Sequence, residues 1–542
     1  MTSTPITGTT KTLDALVVGA GFAGMYQLYC LRDRMGLNVR VLEAGGGVGG
    51  TWYWNRYPGA RCDSESHAYW YSFDPALMRE WEWSERYPGQ TEIIRYLNFV
   101  ADKFNLKRDI QFNTRVIAAK YDEAANLWRV RTGDGQELSA TYLITAVGCL
   151  STANVPNIPG LGSFKGTWYH TGQWPHEGIA FTGKRVGQIG TGSTGIQSAP
   201  VIAETAGHLT VFQRTANYSV PARNAPLSPS FKQYVKDNAA LIRQNMRASA
   251  NGQPFFNSDR LALETPDEDR QSLYEAAWRR GGLQFRGTFQ DLLANKAAND
   301  TAAEFVKAKI RQIVKDPETA EKLADIDHPY AAKRPPIDTD YFETFNRDNV
   351  SLVDVRANPI EAITPDGIRL RDGTEHQLDI IVFATGFDAM TGPLLRMNIS
   401  GRDGLKLSDV WENGPRNYLG LQVAGFPNLF TVTGPGSPSV LCNMPVCIEQ
   451  HAEWIADAIA YMRQHGLKTM ETNIAAMDKW VAEVNRAADA TLLPLATHSW
   501  YLGANVPGKP RVFMPYAGGM QNYRQICTDI AANNYQGFVL SA

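Results

Sequence analysis

The chain has 542 residues, of which 44% are hydrophobic and 20% charged, and its formal net charge is −2. This length predicts two or three domains rather than a single core, and the composition is that of a globular protein. The near-neutral charge gives no reason to expect nucleic acid or an anionic membrane surface as a partner.

Targeting and metal-binding patterns are not recognisable in the sequence. Residues 1–12 form a short polar lead without an apolar signal core, and the apolar stretch 13–31 is interrupted by three glycines. That stretch therefore predicts a strand, a turn and a helix, and not a membrane span. Six scattered cysteines form no disulfide framework, and no spacing of His, Cys or acidic residues predicts a metal site. We expect a cytoplasmic protein.

The first predicted strand, 15–18, leads into the motif Gly19-x-Gly21-x-x-Gly24 and then into a helix. Glycines at this spacing let the backbone turn tightly and approach a pyrophosphate at the helix N-terminus. Glu43 follows Gly19 by 24 residues and closes the apolar run 39–42. An acid at the end of the second strand accepts hydrogen bonds from a ribose diol, so this unit is predicted to bind FAD or NAD.

Further predicted strands cover 110–112, 127–130 and 142–146, after a segment rich in Trp, Tyr and Gly. Residues 152–183 contain many Pro, Gly and Asn residues and are interpreted as a connector.

The same motif then recurs as Gly190-x-Gly192-x-x-Gly195, after a predicted strand at 185–189. Here the residue 24 positions later, at the close of the run 209–212, is Arg214. An arginine cannot accept hydrogen bonds from a ribose diol, but it fits a 2′-phosphate. The second unit is therefore predicted to bind NADPH.

Residues 228–325 are rich in Ala, Glu, Arg and Lys and predict helices, with apolar residues at helical spacing in 301–314. Strand patterns return at 350–353 and 379–383, so the helical block interrupts the second nucleotide-binding unit. The predicted fold is α/β. It has two Rossmann-like dinucleotide-binding domains, each with the three-layer ββα arrangement, and an inserted helical subdomain. We expect an FAD-binding domain from 1–150 and 390–542, an NADP-binding domain from 151–222 and 330–389, and the insertion at 223–329.

Two strings identify a family. Residues 164–175 read FKGTWYHTGQWP and match F-x-G-x-x-x-H-T-x-x-W-P, the fingerprint of type I Baeyer–Villiger monooxygenases. Residues 49–63 read GGTWYWNRYPGARCD and resemble the G-x-W-x-x-x-x-Y-P-G-x-x-x-D motif of the same family. With the two flanking nucleotide motifs in the family's order, the resemblance covers nearly the whole chain. The N- and S-oxidising flavin monooxygenases carry His-Ser and a tyrosine where this chain has His170-Thr171 and Trp174-Pro175.

The resemblance implies an enzyme that reduces FAD with NADPH, forms a C4a-peroxyflavin with O₂, and converts ketones to esters or lactones. Arg334, in the pair Lys333-Arg334, resembles the family's catalytic arginine and suits anion stabilisation because it stays charged. Asp63 resembles the acid that pairs with this arginine, and Lys333 resembles a second contact to the 2′-phosphate. We expect a monomer or weak oligomer whose partners are a small-molecule ketone and O₂.

The cofactor-binding residues expected from the motifs and the resemblance lie in both units and near the C-terminus. They are Gly19, Gly21, Phe22, Gly24, Glu43, Gly50, Thr51, Trp52, Trp54, Arg61, Cys62, Asp63, Tyr69, Gly190, Thr191, Gly192, Ser193, Thr194, Gly195, Arg214, Thr215, Lys333, Met444 and Trp500.

Several alternatives stay open at this point. An N- or S-oxidising flavin monooxygenase shares the domains, and a disulfide reductase needs a cysteine pair beside the flavin. Cys442 and Cys447 lie some 400 residues from the first motif and are interpreted as buried hydrophobes. An inactive flavoprotein scaffold is disfavoured because Arg334 and Asp63 are both present. His170 is interpreted mainly as a structural linker residue.

The substrate is indicated only by a loop. Residues 434–444 resemble the version in phenylacetone- and steroid-type members and are two residues longer than the cyclohexanone-type version. Val440 and Cys442 depart from the phenylacetone pattern, so the loop only weakly indicates a preference for aromatic ketones.

Overall fold

The computed structural model describes residues 12–542, so residues 1–11 of the predicted polar lead lie outside the described residues. None of the helices in this range combines the length and the apolar character that a membrane crossing requires.

The strands run through the whole described chain. They are β1 (Leu13–Val18), β2 (Val39–Leu42), β3 (Ile110–Gln111), β4 (Val116–Asp122), β5 (Leu127–Thr132), β6 (Glu137–Thr145), β7 (Thr167–His170), β8 (Arg185–Ile189), β9 (His208–Gln213), β10 (Val220–Pro221), β11 (Ile337–Asp338), β12 (Val350–Asp354), β13 (Ile360–Thr364), β14 (Gly367–Leu370), β15 (Glu375–Gln377), β16 (Ile380–Phe383), β17 (Ile399–Ser400), β18 (Leu429–Thr431), β19 (Thr469–Thr472) and β20 (Phe538–Ser541).

The helices concentrate in the middle and last thirds of the chain. They are α1 (Phe22–Tyr29), α2 (Thr51–Trp54), α3 (Pro75–Glu80), α4 (Gln90–Lys103), α5 (Ser193–Thr205), α6 (Pro229–Asp237), α7 (Ala239–Ala248), α8 (Asp267–Arg280), α9 (Lys296–Ile313), α10 (Pro317–Ala324), α11 (Tyr341–Thr344), α12 (Gly392–Leu395), α13 (Leu407–Val410), α14 (Met444–Gln464), α15 (Ile474–Asp489) and α16 (Met520–Ala532). Among the short 3₁₀ turns, Leu283–Thr288, Ser439–Leu441 and Trp500–Leu502 matter below.

The first large sheet is built around β1. Its strand order is β17-β4-β5-β6-β1-β2-β3, with β18 also paired to β6. The strands β3, β2, β1, β6 and β18 are parallel, whereas β4 and β5 pair antiparallel. Parallel strands covered on both faces are apolar throughout. Accordingly, Ala15 and Val17 join a core shared with α1 and α14, while Leu16 and Val18 join the core on the other face.

The second large sheet is entirely parallel, with the order β12-β9-β8-β16-β7. Helix α5 packs on one face through Ile196 and Ala199. The antiparallel meander β13–β15 packs on the other face, where Ile363 and Ile368 contact the sheet residue Phe212. The α/β class with parallel sheets, predicted from the sequence, is confirmed.

The predicted connector at 152–183 contains a strand, and in this respect the prediction was wrong. β7 is the edge strand of the second sheet and pairs in parallel with β16. Its sequence, Thr167-Trp168-Tyr169-His170, is exposed at the first two residues and buried only at the last. Without an apolar alternation, such a short edge strand has no periodic pattern from which it could be predicted.

The helices α6 to α10 lie between β10 and β11, which pair in parallel with Val220 opposite Ile337. The chain therefore leaves the second unit and returns to it at one point. Of the apolar positions predicted in α9, Phe305, Val306 and Ile310 are buried, and Ile313 is half-buried.

A buried ion pair also links the helical block to α14, the helix that shares a core with β1 of the first sheet. Arg243 of α7 bonds to Glu449 of α14, and their side chains are 7% and 2% exposed. Glu449 accepts two more hydrogen bonds, from the backbone N–H and the hydroxyl of Ser72, each at 2.5 Å. Such additional bonds are what a buried carboxylate needs to offset its desolvation.

Asp338, at the point where the chain returns from the helical block, gives a prediction on pH. Its carboxylate accepts the Ser219 hydroxyl at 2.5 Å and the Tyr341 N–H at 3.2 Å, yet burial raises its pKa to about 7. The folded state thus binds a proton more tightly than the unfolded chain. The stability contributed by Asp338 is present below about pH 4 and is lost as the pH rises through about 7.

We therefore expect the urea midpoint to fall between pH 5 and pH 8 by less in Asp338→Asn than in the unmodified protein, because asparagine cannot lose a proton. Equal changes in both proteins would contradict the role of Asp338.

Candidate active site

The first glycine-rich turn joins β1 to α1. Gly19 adopts a φ of +102°, and a Cβ on Gly24 would lie 1.7 Å from the Gly19 carbonyl oxygen. Only glycine therefore lets the helix begin so close to the end of the strand. Phe22 is the first residue of α1, and its N-cap Gly21 provides no side-chain cap. The positive end of the helix and its N–H groups are thus available to an anionic group.

Glu43 closes the same turn at the end of β2. Its two carboxylate oxygens accept the backbone N–H groups of Ala20 and Gly45, each at 2.7 Å, and the residue is 5% exposed. Burial raises the pKa of Glu43, and the two N–H donors act against this rise. Each oxygen keeps a second lone pair, so the carboxylate can still accept from a further pair of donors.

The aromatic string 49–63 packs against the start of α1. A Cβ on Gly50 would lie 2.9 Å from the Cα of Gly21, so the two glycine segments are in contact. The indole N–H of Trp52 donates to the Tyr69 hydroxyl at 3.0 Å, and both side chains are buried. The Tyr69 ring meets the Phe22 ring edge-on, with 5.2 Å between centroids. The string is thereby fixed beside the first glycine-rich turn.

The second glycine-rich turn has the same geometry. Gly190 has a φ of +111°, and a Cβ on Gly195 would lie 2.2 Å from the Gly190 carbonyl oxygen. The hydroxyl of Thr191 donates to the carbonyl of Thr215 at 2.8 Å and links the turn to the residue after Arg214. In contrast, the Cβ position of Gly192 has no neighbouring atom within 4 Å, so the space above this helix end is open.

Two positively charged side chains of the second unit are Arg214 and Lys333. Arg214 directly follows β9 and is exposed, and it forms no ion pair or side-chain hydrogen bond with any residue of 12–542. Lys333 is half-buried. Burial lowers the pKa of Lys333 and the charge of Arg214 lowers it further, while Asp327 acts in the opposite direction. The positive charges of Lys333 and Arg214 thus act on each other.

Arg334 is held by Asp63 in a two-pronged ion pair. The arginine Nε and Nη2 donate to the two carboxylate oxygens at 2.5 and 2.9 Å, and Nη1 donates to the Val440 carbonyl at 2.9 Å. Burial by itself would lower the pKa of Arg334, but the charge and hydrogen bonds of Asp63 outweigh it and raise the pKa. The guanidinium is a permanent cation in one fixed orientation.

The string also contacts the second unit, through a residue that the sequence did not single out. Gln197 of α5 donates to the Arg61 carbonyl at 3.2 Å and accepts from the Tyr57 hydroxyl at 2.8 Å. The Arg61 side chain itself bonds to Glu85 at 3.2 Å and to the Tyr87 carbonyl at 2.8 Å. Because Gln197 acts across 136 residues, no local pattern could have revealed it.

The other expected cofactor residues differ in their exposure. Met444 is the first residue of α14, and Trp500 lies in a 3₁₀ turn, 4.6 Å from the ring of Tyr501. Cys62 is buried, whereas the half-buried and exposed members are Thr51, Trp54, Ser193, Thr194, Thr215, Met444 and Trp500.

His170 ends β7 in a buried setting. Its Nδ1 accepts the Gly172 N–H at 3.0 Å, its ring lies edge-on to Phe387 at 5.9 Å, and burial lowers its pKa to about 4. A neutral imidazole packed between the connecting segments favours the linker role predicted for it.

The six cysteines are buried free thiols, among them Cys442 and Cys447. Burial raises the pKa of Cys442 to about 12, so this thiol stays protonated and is a poor redox partner. Within residues 12–542, no group of three or more His, Cys, Asp and Glu side chains is arranged to hold a metal ion.

Comparison with known proteins places this arrangement in a family. Residues 13–225 match the model of the flavin-binding monooxygenase-like family. The sequence is 46% identical to a Baeyer–Villiger monooxygenase of Pseudooceanicola batsensis over 540 residues, which cover 98% of each chain. The chain belongs to the Baeyer–Villiger monooxygenase family. The resemblance inferred from the strings 49–63 and 164–175 is thereby confirmed.

A solved monooxygenase structure is also similar over nearly the whole chain. An oxidized steroid monooxygenase bound to NADP has a TM-score of 0.93 and 51% sequence identity, covering 98% of this chain and 100% of that one. A phenazine N-monooxygenase of Lysobacter antibioticus is 44% identical, with 97% of each chain covered. Proteins of similar identity to this chain are thus named for different oxygenation reactions. The residues of the site are therefore needed to distinguish between these reactions.

Proposed function

We propose that the protein uses NADPH and O₂ to convert ketones into esters or lactones at a bound FAD. The observation that carries this proposal is the guanidinium of Arg334, bound to Asp63 at the end of the string 49–63. This string contacts the first glycine-rich turn and helix α5, which follows the second turn. Membership of the Baeyer–Villiger monooxygenase family supports the same chemistry.

We assign FAD to a Rossmann-like domain of residues 1–150 and 390–542, and NADPH to a second one of residues 151–222 and 330–389. In support, β17 and β18 from the later segment join the first sheet, and α14 shares a core with β1 on one face of it. β12 and β16 join the second sheet. Residues 223–329 then form the helical insertion between β10 and β11.

The residues of the first turn fit FAD. The N-terminus of α1 suits a pyrophosphate, and the spare lone pairs of Glu43 suit the ribose diol. Trp52 and Tyr69, bonded to each other beside this turn, are suited to line the flavin ring, together with Thr51, Trp54 and Met444.

The residues of the second turn fit NADPH. The open space at Gly192 leaves room for a pyrophosphate, as close approach to the backbone requires. Arg214 forms no ion pair with any residue of 12–542, and its charge acts on that of Lys333. Two such cations suit a 2′-phosphate.

Bound FAD, reduced by NADPH, supplies the oxygen-activating chemistry. The chain has to stabilise the negative charge that develops on oxygen atoms during insertion, and a preorganised cation does this with little reorganisation. Of the five N–H donors of Arg334, three are occupied by Asp63 and Val440. The remaining two are available to the reacting atoms, and Asp63 holds the group in place.

The experiment that tests this proposal begins with purified protein. A yellow flavin spectrum and NADPH oxidation stimulated by a ketone are expected, with products one oxygen atom heavier than cyclic, linear and aryl ketones. NADPH oxidation without any heavier product would contradict the proposal.

Oxidation at nitrogen is the second candidate, favoured by the similarity to the phenazine N-monooxygenase. The fingerprint 164–175, with His170-Thr171 and Trp174-Pro175, favours ketone oxidation instead. Phenazine and thioanisole, offered beside the ketones, distinguish the two: an N- or S-oxide as the faster product would support the alternative.

The loop 434–444 indicates a substrate preference. Its 3₁₀ turn, Ser439–Leu441, supplies the Val440 carbonyl that accepts a hydrogen bond from Arg334, so the loop contacts the proposed catalytic arginine. Its length resembles that of phenylacetone- and steroid-type members, and we propose aryl and bulky cyclic ketones as preferred substrates.

Replacement of Arg214 tests the NADPH assignment. Arg214→Ala should raise the Michaelis constant for NADPH about tenfold or more and leave that for NADH nearly unchanged, because a charge-assisted contact contributes roughly 1.5–3 kcal/mol. Steady-state kinetics with both cofactors measure this. Arg371→Ala, an exposed arginine between β14 and β15, is the matched control and should change neither constant. Equal losses with NADPH and NADH in Arg214→Ala would remove the assignment.

A further inference from the structure

A short turn of the helical insertion, residues 249–253, contacts the two parts of the chain that supply the partners of Arg334. The turn follows α7. The partners are Asp63, which accepts two hydrogen bonds from the guanidinium, and Val440, whose carbonyl accepts a third. The last residue of the turn bonds to the residue after Asp63, and its middle packs on the loop around Val440.

Gln253 makes the contact on the Asp63 side. Its Nε2 donates to the Ser64 hydroxyl at 2.9 Å, and both residues are only 3% exposed. At this depth water does not readily replace a lost hydrogen bond, so the Ser64 hydroxyl depends on Gln253 as its donor. Because Ser64 directly follows Asp63, the bond restrains the backbone that carries the Asp63 carboxylate.

The same turn packs against the loop that supplies the Val440 carbonyl. The Asn251 carbonyl accepts the backbone N–H of Asn443 at 2.8 Å. Gly252 has a φ of +66°, and a Cβ there would lie 2.7 Å from the Cys442 sulfur and 3.2 Å from the Asn443 nitrogen. The backbone of the turn therefore lies directly on the loop, and Gln253 is held in a fixed place relative to the second partner of Arg334.

The turn is also ordered by contacts of its own. The Asn251 side-chain oxygen accepts the backbone N–H of Gln253 at 3.2 Å. The Ala250 carbonyl accepts the N–H of Met520, the first residue of α16, at 2.7 Å. The contacts to the two partners of Arg334 are therefore made by one ordered turn.

Building on the function proposed above, we infer that Gln253 is a positioning residue for oxygen insertion. Through Ser64 it steadies Asp63, and Asp63 in turn orients Arg334. Insertion needs this orientation, because a 1 Å misplacement of a reacting group costs up to about 10²-fold in rate. Flavin reduction by NADPH does not need it. Oxygen that fails to reach the ketone leaves as hydrogen peroxide, with the two electrons of NADPH and two protons.

Gln253→Met tests the inference, because methionine keeps the length of the side chain and removes its N–H donors. The ratio of ester to hydrogen peroxide should fall about threefold to tenfold, as expected when a buried hydroxyl loses a neutral hydrogen bond, with anaerobic flavin reduction by NADPH unchanged. Ser64→Ala should have the same effect. The double variant should be no worse than either single variant, since both changes remove one bond.

Gln422→Met is the matched control. Gln422 is 1% exposed, and its Nε2 donates to the Met470 carbonyl at 3.1 Å. This variant also loses a buried hydrogen bond of a glutamine, so its Tm should fall while its ratio of ester to hydrogen peroxide stays unchanged.

Hydrogen exchange of the holoenzyme without NADPH or ketone, followed by mass spectrometry, tests the contact independently of turnover. Peptides that span Asp63 and Ser64 should exchange faster in Gln253→Met and not in Gln422→Met. Unchanged exchange there, additive losses in the double variant, or a lower Tm of Gln253→Met with an unchanged ester-to-peroxide ratio would overturn the inference. If the unmodified protein oxygenates no ketone, the proposed function fails, and hydrogen exchange then decides whether Gln253 restrains Asp63.

Discussion

Arg334→Ala is expected to abolish ester formation while NADPH still reduces the flavin. Reduction depends on positioning the nicotinamide against the flavin, for which Arg214, Lys333 and the flavin-side residues are suited. Oxygen insertion depends on a cation beside the developing negative charge. Loss of one preorganised donor of this kind typically costs about 10²–10³ in rate, and Arg334 has two uncommitted N–H groups as well as its charge.

Two measurements separate the half-reactions. Anaerobic mixing with NADPH follows flavin reduction, and product analysis in air follows oxygen insertion. In Arg334→Ala, NADPH oxidation should continue with hydrogen peroxide as the oxygen product. Product formation near the normal rate would show that another group stabilises the charge.

Arg334→Lys is the informative control. A lysine keeps a positive charge, but it cannot donate to both oxygens of Asp63 and to the Val440 carbonyl from one planar group. We expect poor recovery of ester formation. Full recovery would show that charge alone is required and that the orientation imposed by Asp63 contributes little.

The sequence predicted well those features that depend on neighbours along the chain. Gly24 and Gly195 were predicted from spacing, and both prove to be positions where a Cβ would collide with the preceding turn. Glu43 was placed by its position after an apolar strand, and it lies at the end of β2. Spacing of this kind is set by the geometry of one strand–turn–helix unit, which is local.

Other features depend on contacts between distant segments. Gln197, which bonds to the string 49–63, and the ion pair between Arg243 and Glu449 have no periodic pattern. The pairing of Arg334 with Asp63, across 271 residues, followed from the family resemblance and not from any local signal.

Glu43→Arg is expected to yield a protein without bound FAD. The carboxylate is 5% exposed and accepts two backbone N–H groups at 2.7 Å. An arginine there places a cation in a buried site that already contains two donors. The N–H groups of Ala20 and Gly45 would both lose their acceptor. The ribose diol would face a donor too. Each charge-assisted bond contributes roughly 1.5–3 kcal/mol, so the loss of both bonds and the unpaired buried cation together weaken FAD binding strongly.

Flavin absorbance relative to protein absorbance measures occupancy, and circular dichroism tests whether the fold persists. Glu43→Gln is the matched control, because its amide oxygen can still accept one N–H while the charge is lost. We expect this variant to retain partial occupancy, recoverable with added FAD, and Glu43→Arg to remain colourless at the same FAD concentration. NADPH binding, followed by fluorescence, should survive in both variants, since Arg214 follows β9 of the other large sheet. Full FAD occupancy in Glu43→Arg would assign the first unit to a different nucleotide, because a ribose-binding carboxylate cannot be replaced by a cation without loss of affinity.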